Sequence, residues 1–341
     1  MWMERFEDPM EARKLQKTGG STYTLSLPKA WVLDAHLKAG DAVFIDALGD
    51  GALVLRPSPA TPPSGRTKVI EVTAGEPQDH VLRKLIGAYV SGYAFLDLRF
   101  KPDVGPMVRR VARDFTRMVI GPQILEETRS SLILQDLSNP AEMSAEKSLR
   151  RMYMTARAMH EDALEVLRMR DEALAKDVAQ RDEDVDRLYW MVAKQYSLAH
   201  LGGPTTSADW RRTGIHNYRL VAKLLERVAD HAERIAAAAS AIGPPLEPRL
   251  LKDLQAGSGT ALAILDQAFG ALMARDADGA NRAVDRAHEL QKLVDSLAHR
   301  VATHKGEELL ALGSIVDSIQ RTGGYATDIA EIAINHVLAQ E

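Results

Sequence analysis

The sequence predicts a multidomain, mainly α protein: a small β module, a small α+β (βαβαββ) domain, then two tandem three-helix bundles. Three observations predict this. Helical periodicity runs from about residue 144 to the end of the 341-residue chain. Within it a short phrase occurs twice, and an internal repeat signals duplicated architecture. A stretch holding Pro57, Pro59, Pro62, Pro63 and Gly65 separates a β-rich beginning from the rest, as linkers do.

The β module spans residues 12–58. Tyr23, Leu25 and Leu27 alternate with Thr22, Thr24 and Ser26, the period of a half-buried strand. Pro28 stops that ladder and suits the first turn of a helix, Lys29 to Ala35. Gly40-Asp41 turns into Ala42 to Ile45, and Gly49-Asp50-Gly51 predicts a hairpin onto Ala52 to Leu55. So little sheet buries almost no core alone, which predicts a partner chain.

The second domain, 68–138, reads as strands Lys68 to Val72, Tyr93 to Arg99, Gln123 to Glu127 and Ser131 to Leu137. Helices are predicted at Gln78 to Ser91 and Val104 to Val119. Helices on one face of an antiparallel sheet, ferredoxin-like or ACT-like, are expected, with a spacer or dimerisation role. Asn139-Pro140 ends it.

The bundles are predicted at 144–242 and 247–340. Their helices run about 144–170, 171–200, 213–242, 247–275, 277–304 and 306–340. Gly202-Gly203-Pro204, Gly243-Pro244-Pro245 and Gly306 punctuate them, and Gly257-Ser258-Gly259 predicts a distortion in the fourth. The first copy of the phrase runs from Leu225 to Ala236, the second from Ile319 to Ala330. Their apolar frame matches, but Glu226 and Asp230 of the first become Gln320 and Gly324 of the second.

Residues four apart share a helix face, so Glu226 projects with Asp230, and Asp182 with Asp186. Antiparallel packing of the two helices would bring four carboxylates together, a donor set suited to iron, manganese, magnesium or calcium. The same spacings also fit a solvated acidic helix face. In the second bundle Gln291 stands opposite Asp182, and only Asp295 survives of the four acids.

Composition limits the chemistry. The chain has no cysteine, which excludes disulfides, Fe–S clusters and thiolate zinc sites. The formal charge of -4 carries no global nucleic-acid signature. The acidic start is not a signal peptide, and no run of roughly 18 apolar residues spans a bilayer, so a cytoplasmic protein without membrane insertion is expected. No nucleophile–base pair or Gly-rich phosphate loop occurs, so no enzyme is expected. His231 follows Asp230 but is expected in an interhelical or surface hydrogen bond, and Asp285-x2-His288 is only half of a ligand pair.

The pattern Asp182-x3-Asp186 followed by Glu226-Arg227-Val228-Ala229-Asp230-His231-Ala232 resembles the PhoU family of phosphate-signalling regulators, over roughly 144–340. That resemblance implies a multinuclear cluster of iron, manganese or another oxygen-ligand cation held by Asp182, Asp186, Glu226 and Asp230, at the first bundle only.

The N-terminal run is similarly informative. Arg13, Lys14, Lys17, Lys29 and Lys38 face the single acid Asp34 between residues 12 and 38. Such a basic patch fits phosphate-backbone contact, and equally the lysine-rich edge that discourages strand aggregation. Gly20-Ser21-Thr22-Tyr23-Thr24-Leu25-Ser26-Leu27-Pro28-Lys29, followed by Leu37-Lys38-Ala39-Gly40-Asp41, resembles the SpoVT/AbrB (MazE-like) family. This resemblance implies a swapped-hairpin β-barrel formed by two chains and DNA contact through Arg13, Lys14, Lys17, Ser21 and Lys29. The joint arrangement is similar to archaeal-type regulators. Three functions follow as expectations: a dimeric transcriptional regulator of phosphate uptake; an adaptor acting on a phosphate ABC transporter, its barrel serving dimerisation only; or an antitoxin-like DNA binder, disfavoured by the large helical half.

Overall fold

The computed structural model describes residues 12–47, 53–57, 65–138, 144–200, 214–243 and 245–339. The chain divides into two compact units, Met1–Thr61 and Pro62–Glu341. The predicted turn at Gly49-Asp50-Gly51, most of the Pro-rich linker, Asn139-Pro140 and Gly202-Gly203-Pro204 lie outside the described residues.

In the first unit β1 (Gln16–Thr18) pairs antiparallel with β2 (Thr22–Thr24), placing Lys17 opposite Tyr23. Gly19, with φ +71°, supplies the left-handed turn between them. The ladder stops at Thr24 rather than Leu27, short of the expected strand. Helix α1 (Lys29–Asp34) follows Pro28 as predicted. A second hairpin pairs β3 (Phe44–Ala47) with β4 (Leu53–Arg56). The two hairpins form separate sheets, and no described residue between 12 and 57 is buried. One chain therefore does not close a barrel: Tyr23, Leu33, Ile45 and Leu53 are each about three-fifths exposed.

In the second unit the βαβαββ order is present. It comprises β5 (Thr67–Val72), α2 (Gln78–Val90), β6 (Phe95–Phe100), α3 (Gly105–Met118), β7 (Pro122–Glu127) and β8 (Ser131–Asp136). The sheet order is β5-β6-β8-β7, with β5 parallel to β6 and β8 antiparallel to both neighbours. This corrects two expectations. The sheet is mixed, because a helical crossover such as α2 returns the chain parallel. The order also departs from the ferredoxin-like βαββαβ. Val81, Leu85, Tyr89, Val108 and Phe115 fill the core between sheet and helices.

The six predicted long helices are all present. Ser144 caps α4 (Ala145–Met169), its Oγ accepting from the Lys147 amide at 3.2 Å. Asp171 opens α5 (Glu172–His200) by accepting from the Ala173 and Leu174 amides. Then come α6 (Gly214–Ala241), α7 (Pro248–Ala274), α8 (Ala277–Val301) and α9 (Gly306–Leu338). Helix α7 is unbroken through Gly257-Ser258-Gly259, so the predicted distortion is absent. Gly257 instead permits close packing, since a Cβ there would lie 3.2 Å from Leu297.

Helices α4, α5 and α6 pack together, as do α7, α8 and α9, and α6 packs on α9. One continuous apolar cluster runs through both bundles, from Ala145 to Ala333. Buried polar pairs among the described residues cross between the bundles, including His231 Nδ1 with Ser318 Oγ at 3.1 Å, Asn217 with His336 at 3.1 Å, and His160 with Thr322 at 3.4 Å.

Helix α5 also belongs to the neighbouring domain. Its Trp190 packs on the βαβαββ core, and Lys194 Nζ bonds Asp136 and, at 2.9 Å, Ser138 Oγ. Gly92, with φ +75°, comes so close to Leu198 that a Cβ would meet it at 2.4 Å.

Candidate metal centre and nucleic-acid interface

The four predicted acids share one electrostatic environment. Asp182 and Asp186 stand one turn apart on α5, Glu226 and Asp230 one turn apart on α6, and the two helices pack directly. Burial, then Asp186, Asp230, Glu233 and Glu226, raise the Asp182 pKa to about 7. Burial, then Glu226 and Asp230, raise Asp186 to about 6, with Lys223 opposing. This cross-pairing, Asp186 near Glu226 and Asp182 near Asp230, is that of antiparallel helices. Burial also raises Glu226, against a lysine hydrogen bond that lowers it.

Two acceptors in the patch are buried and have no hydrogen-bond partner: Asp182 Oδ1 and Glu226 Oε2. Orphaned carboxylate oxygens carry a full desolvation cost. An oxygen-seeking cation would relieve it, so the donor set fits a hard metal ion. Among the described residues, however, no three His, Asp or Glu side chains already stand in ligand geometry. Coordination would require these side chains to turn toward a common centre.

Two participants escape the motif reading. Glu233 adds to the field at Asp182 and Asp186, and its signal was its place one turn beyond Asp230. Lys223 lies one turn before Glu226 and donates from Nζ to Oε1 at 2.5 Å. His231, by contrast, turns away to Ser318 on α9, and His288 Nδ1 approaches the Asp285 carbonyl on its own helix at 3.3 Å.

The corresponding place in the second bundle is built from amides. Gln320 Nε2 donates to Gln291 Oε1 at 3.3 Å, and Gln291 Nε2 to Asp295 Oδ1 at 2.8 Å. Leu290 of α8 packs directly against Gly323 of α9, leaving no room for a Cβ there.

In the N-terminal unit Arg13 and Lys14 precede β1, Lys17 lies within it, Ser21 sits in the following turn and Lys29 begins α1. All five are exposed. The hairpin thus presents cations and a hydroxyl to solvent, groups suited to phosphate oxygens.

Two bundles of three helices with an acidic seam on the first, preceded by a basic β module, define a helical-bundle protein with an appended small β domain. The chain carries a PhoU domain, matched over residues 149–239, and a domain of the family described as antidote-toxin recognition MazE, bacterial antitoxin, matched over residues 16–62. The PhoU match spans all four acids. Among solved structures, PhoU from Pseudomonas aeruginosa is similar at 20% identity and TM-score 0.51, covering 57% of this chain and 96% of that one. The phosphate transport system regulatory protein PhoU from Streptococcus pneumoniae is similar at 15% identity and TM-score 0.49, over 58% and 94%. The first of these likenesses is one of fold. No curated protein matches the chain. No described helix is long and apolar enough to cross a membrane.

Proposed function

We propose that this chain is a dimeric, DNA-binding regulator of phosphate uptake in the cytoplasm, whose helical half reads a metal or protein-partner state. The observation that carries this reading is the union, in one chain, of a PhoU domain and an antitoxin-type N-terminal domain. Exposed Arg13, Lys14, Lys17, Ser21 and Lys29 would contact DNA. The apolar side chains left uncovered in 12–57 would be buried by interlocking with a second copy.

Asp182, Asp186, Glu226 and Asp230 would hold the metal, iron, manganese or a similar oxygen-ligand cation. Bound there, it would neutralise charge that the helices concentrate, and its role would be structural and regulatory rather than catalytic. The buried, unbonded Asp182 Oδ1 and Glu226 Oε2 support this assignment.

Chromatin capture under phosphate limitation and excess tests the reading. Enrichment at promoters of phosphate-transport genes is expected. Recovery with subunits of a phosphate ABC transporter, without DNA enrichment, would instead make the chain an adaptor whose barrel only dimerises.

A further inference from the structure

Among the described residues, Lys223 is the cation hydrogen-bonded to a carboxylate of the acidic patch. Its Nζ reaches Glu226 Oε1 at 2.5 Å while Glu226 Oε2 stays buried and unbonded. Three neighbouring arginines make their hydrogen bonds outside the patch, although Arg227 still acts on Glu226 through its charge. Arg181 binds Asp162 and Asp177, Arg187 donates to the Arg117 carbonyl and Asp184, and Arg227 approaches the Tyr325 hydroxyl.

Lys223 also has a second seat. Its ammonium lies 5.0 Å from the centroid of the Tyr189 ring on α5, a face that holds a cation without a carboxylate. A lysine with both contacts can leave Glu226 and remain favourably placed.

We propose that Lys223 is a resident counter-cation of the carboxylate patch, exchanged for the metal rather than bound alongside it. The inference rests on the metal reading above. A multivalent ion that takes both Glu226 oxygens meets the ammonium at close range, and two cations on one carboxylate repel. Metal entry therefore expels Lys223 toward Tyr189. The lysine sets the metal concentration at which the patch loads, and holds the empty patch together below it.

The test uses the full chain, stripped by chelation and titrated with manganese(II) chloride in a calorimeter. Lys223→Met keeps the length and apolar stem but removes the charge, and should bind manganese about tenfold more tightly than the unaltered chain. Its metal-free form should melt at lower temperature, with the gap closing as manganese is added. Lys223→Arg, which keeps the charge, should titrate like the unaltered chain. Lys223→Gln repeats the measurement should the methionine variant fail to fold. Manganese binding by the unaltered chain with equal or weaker binding by the uncharged variants overturns the exchange and leaves the metal reading standing. No binding by any of them overturns both.

Discussion

Lys194 on α5 and Asp136 at the end of β8 form a buried ion pair, with Ser138 completing the hydrogen bonds and the Tyr89 ring 4.7 Å from the ammonium. Both side chains are over nine-tenths buried. A pair so enclosed costs desolvation to form, and removing one partner strands the other in an apolar site.

Lys194→Met should therefore destabilise the fold by about 3 kcal/mol, and Asp136→Asn by less, because the amide still hydrogen-bonds. Chemical denaturation of the single variants measures this. The double variant Lys194→Met/Asp136→Leu should recover much of the loss, since two apolar groups leave no charge unpaired.

Asp182 sets a pH dependence. Its folded pKa of about 7 lies above the ordinary 3.8, so the fold prefers the neutral acid. That contribution is full below about pH 4 and is lost as pH rises toward 7. Asp182→Asn should stabilise the metal-free protein at pH 7.5 by about 1 kcal/mol, after allowance for solvent screening, while reducing metal uptake. Melts in chelator and elemental analysis check both halves. An asparagine variant that retains full metal uptake removes Asp182 from the ligand set.

His160 gives the opposite sign. It is fully buried, and desolvation, then the neighbouring His231, lowers its pKa from 6.5 to about 4. Its contribution is complete above about pH 6.5 and is lost as pH falls toward 4, worth about 3 kcal/mol across that window. His160→Gln, which can still bond Thr322 but does not titrate, should show a shallower loss of stability in acid. Parallel slopes for the two proteins would assign the acid sensitivity elsewhere.

The basic arm is tested by salt. Arg13→Ala/Lys14→Ala/Lys17→Ala should weaken DNA binding and flatten the plot of log affinity against log salt. For a dimer losing six phosphate contacts, the slope falls by up to about 5. An unchanged slope in the folded triple variant would exclude this arm from the interface.

Much of the architecture was legible in the sequence because its signals are local. Periodicity, punctuated by Gly243-Pro244-Pro245 and Gly306, marks the helices to within a few residues. What local signals miss is how elements meet. Nothing in the spacing of the strands shows that β8 inserts between β6 and β7, and the antiparallel expectation fails at β5 and β6, which the α2 crossover makes parallel. Gly257 reads as a helix breaker until Leu297 is seen against it. In the acidic patch the motif names the four acids. Glu233 and Lys223 escape it, because their importance comes from burial and field, which a pattern of identities does not encode.

The core that runs without interruption from the first bundle into the second has a consequence for how a duplicated protein can diverge. The inner face of α6 is covered by α9, so the second half cannot be shed without stripping the first of its wall. That half carries Gln320 and Gly324 where the first has Glu226 and Asp230, yet its Ile319, Ala326, Ile329 and Ala330 are fully buried in the shared core. The two copies thus differ in their acidic positions while sharing one apolar core.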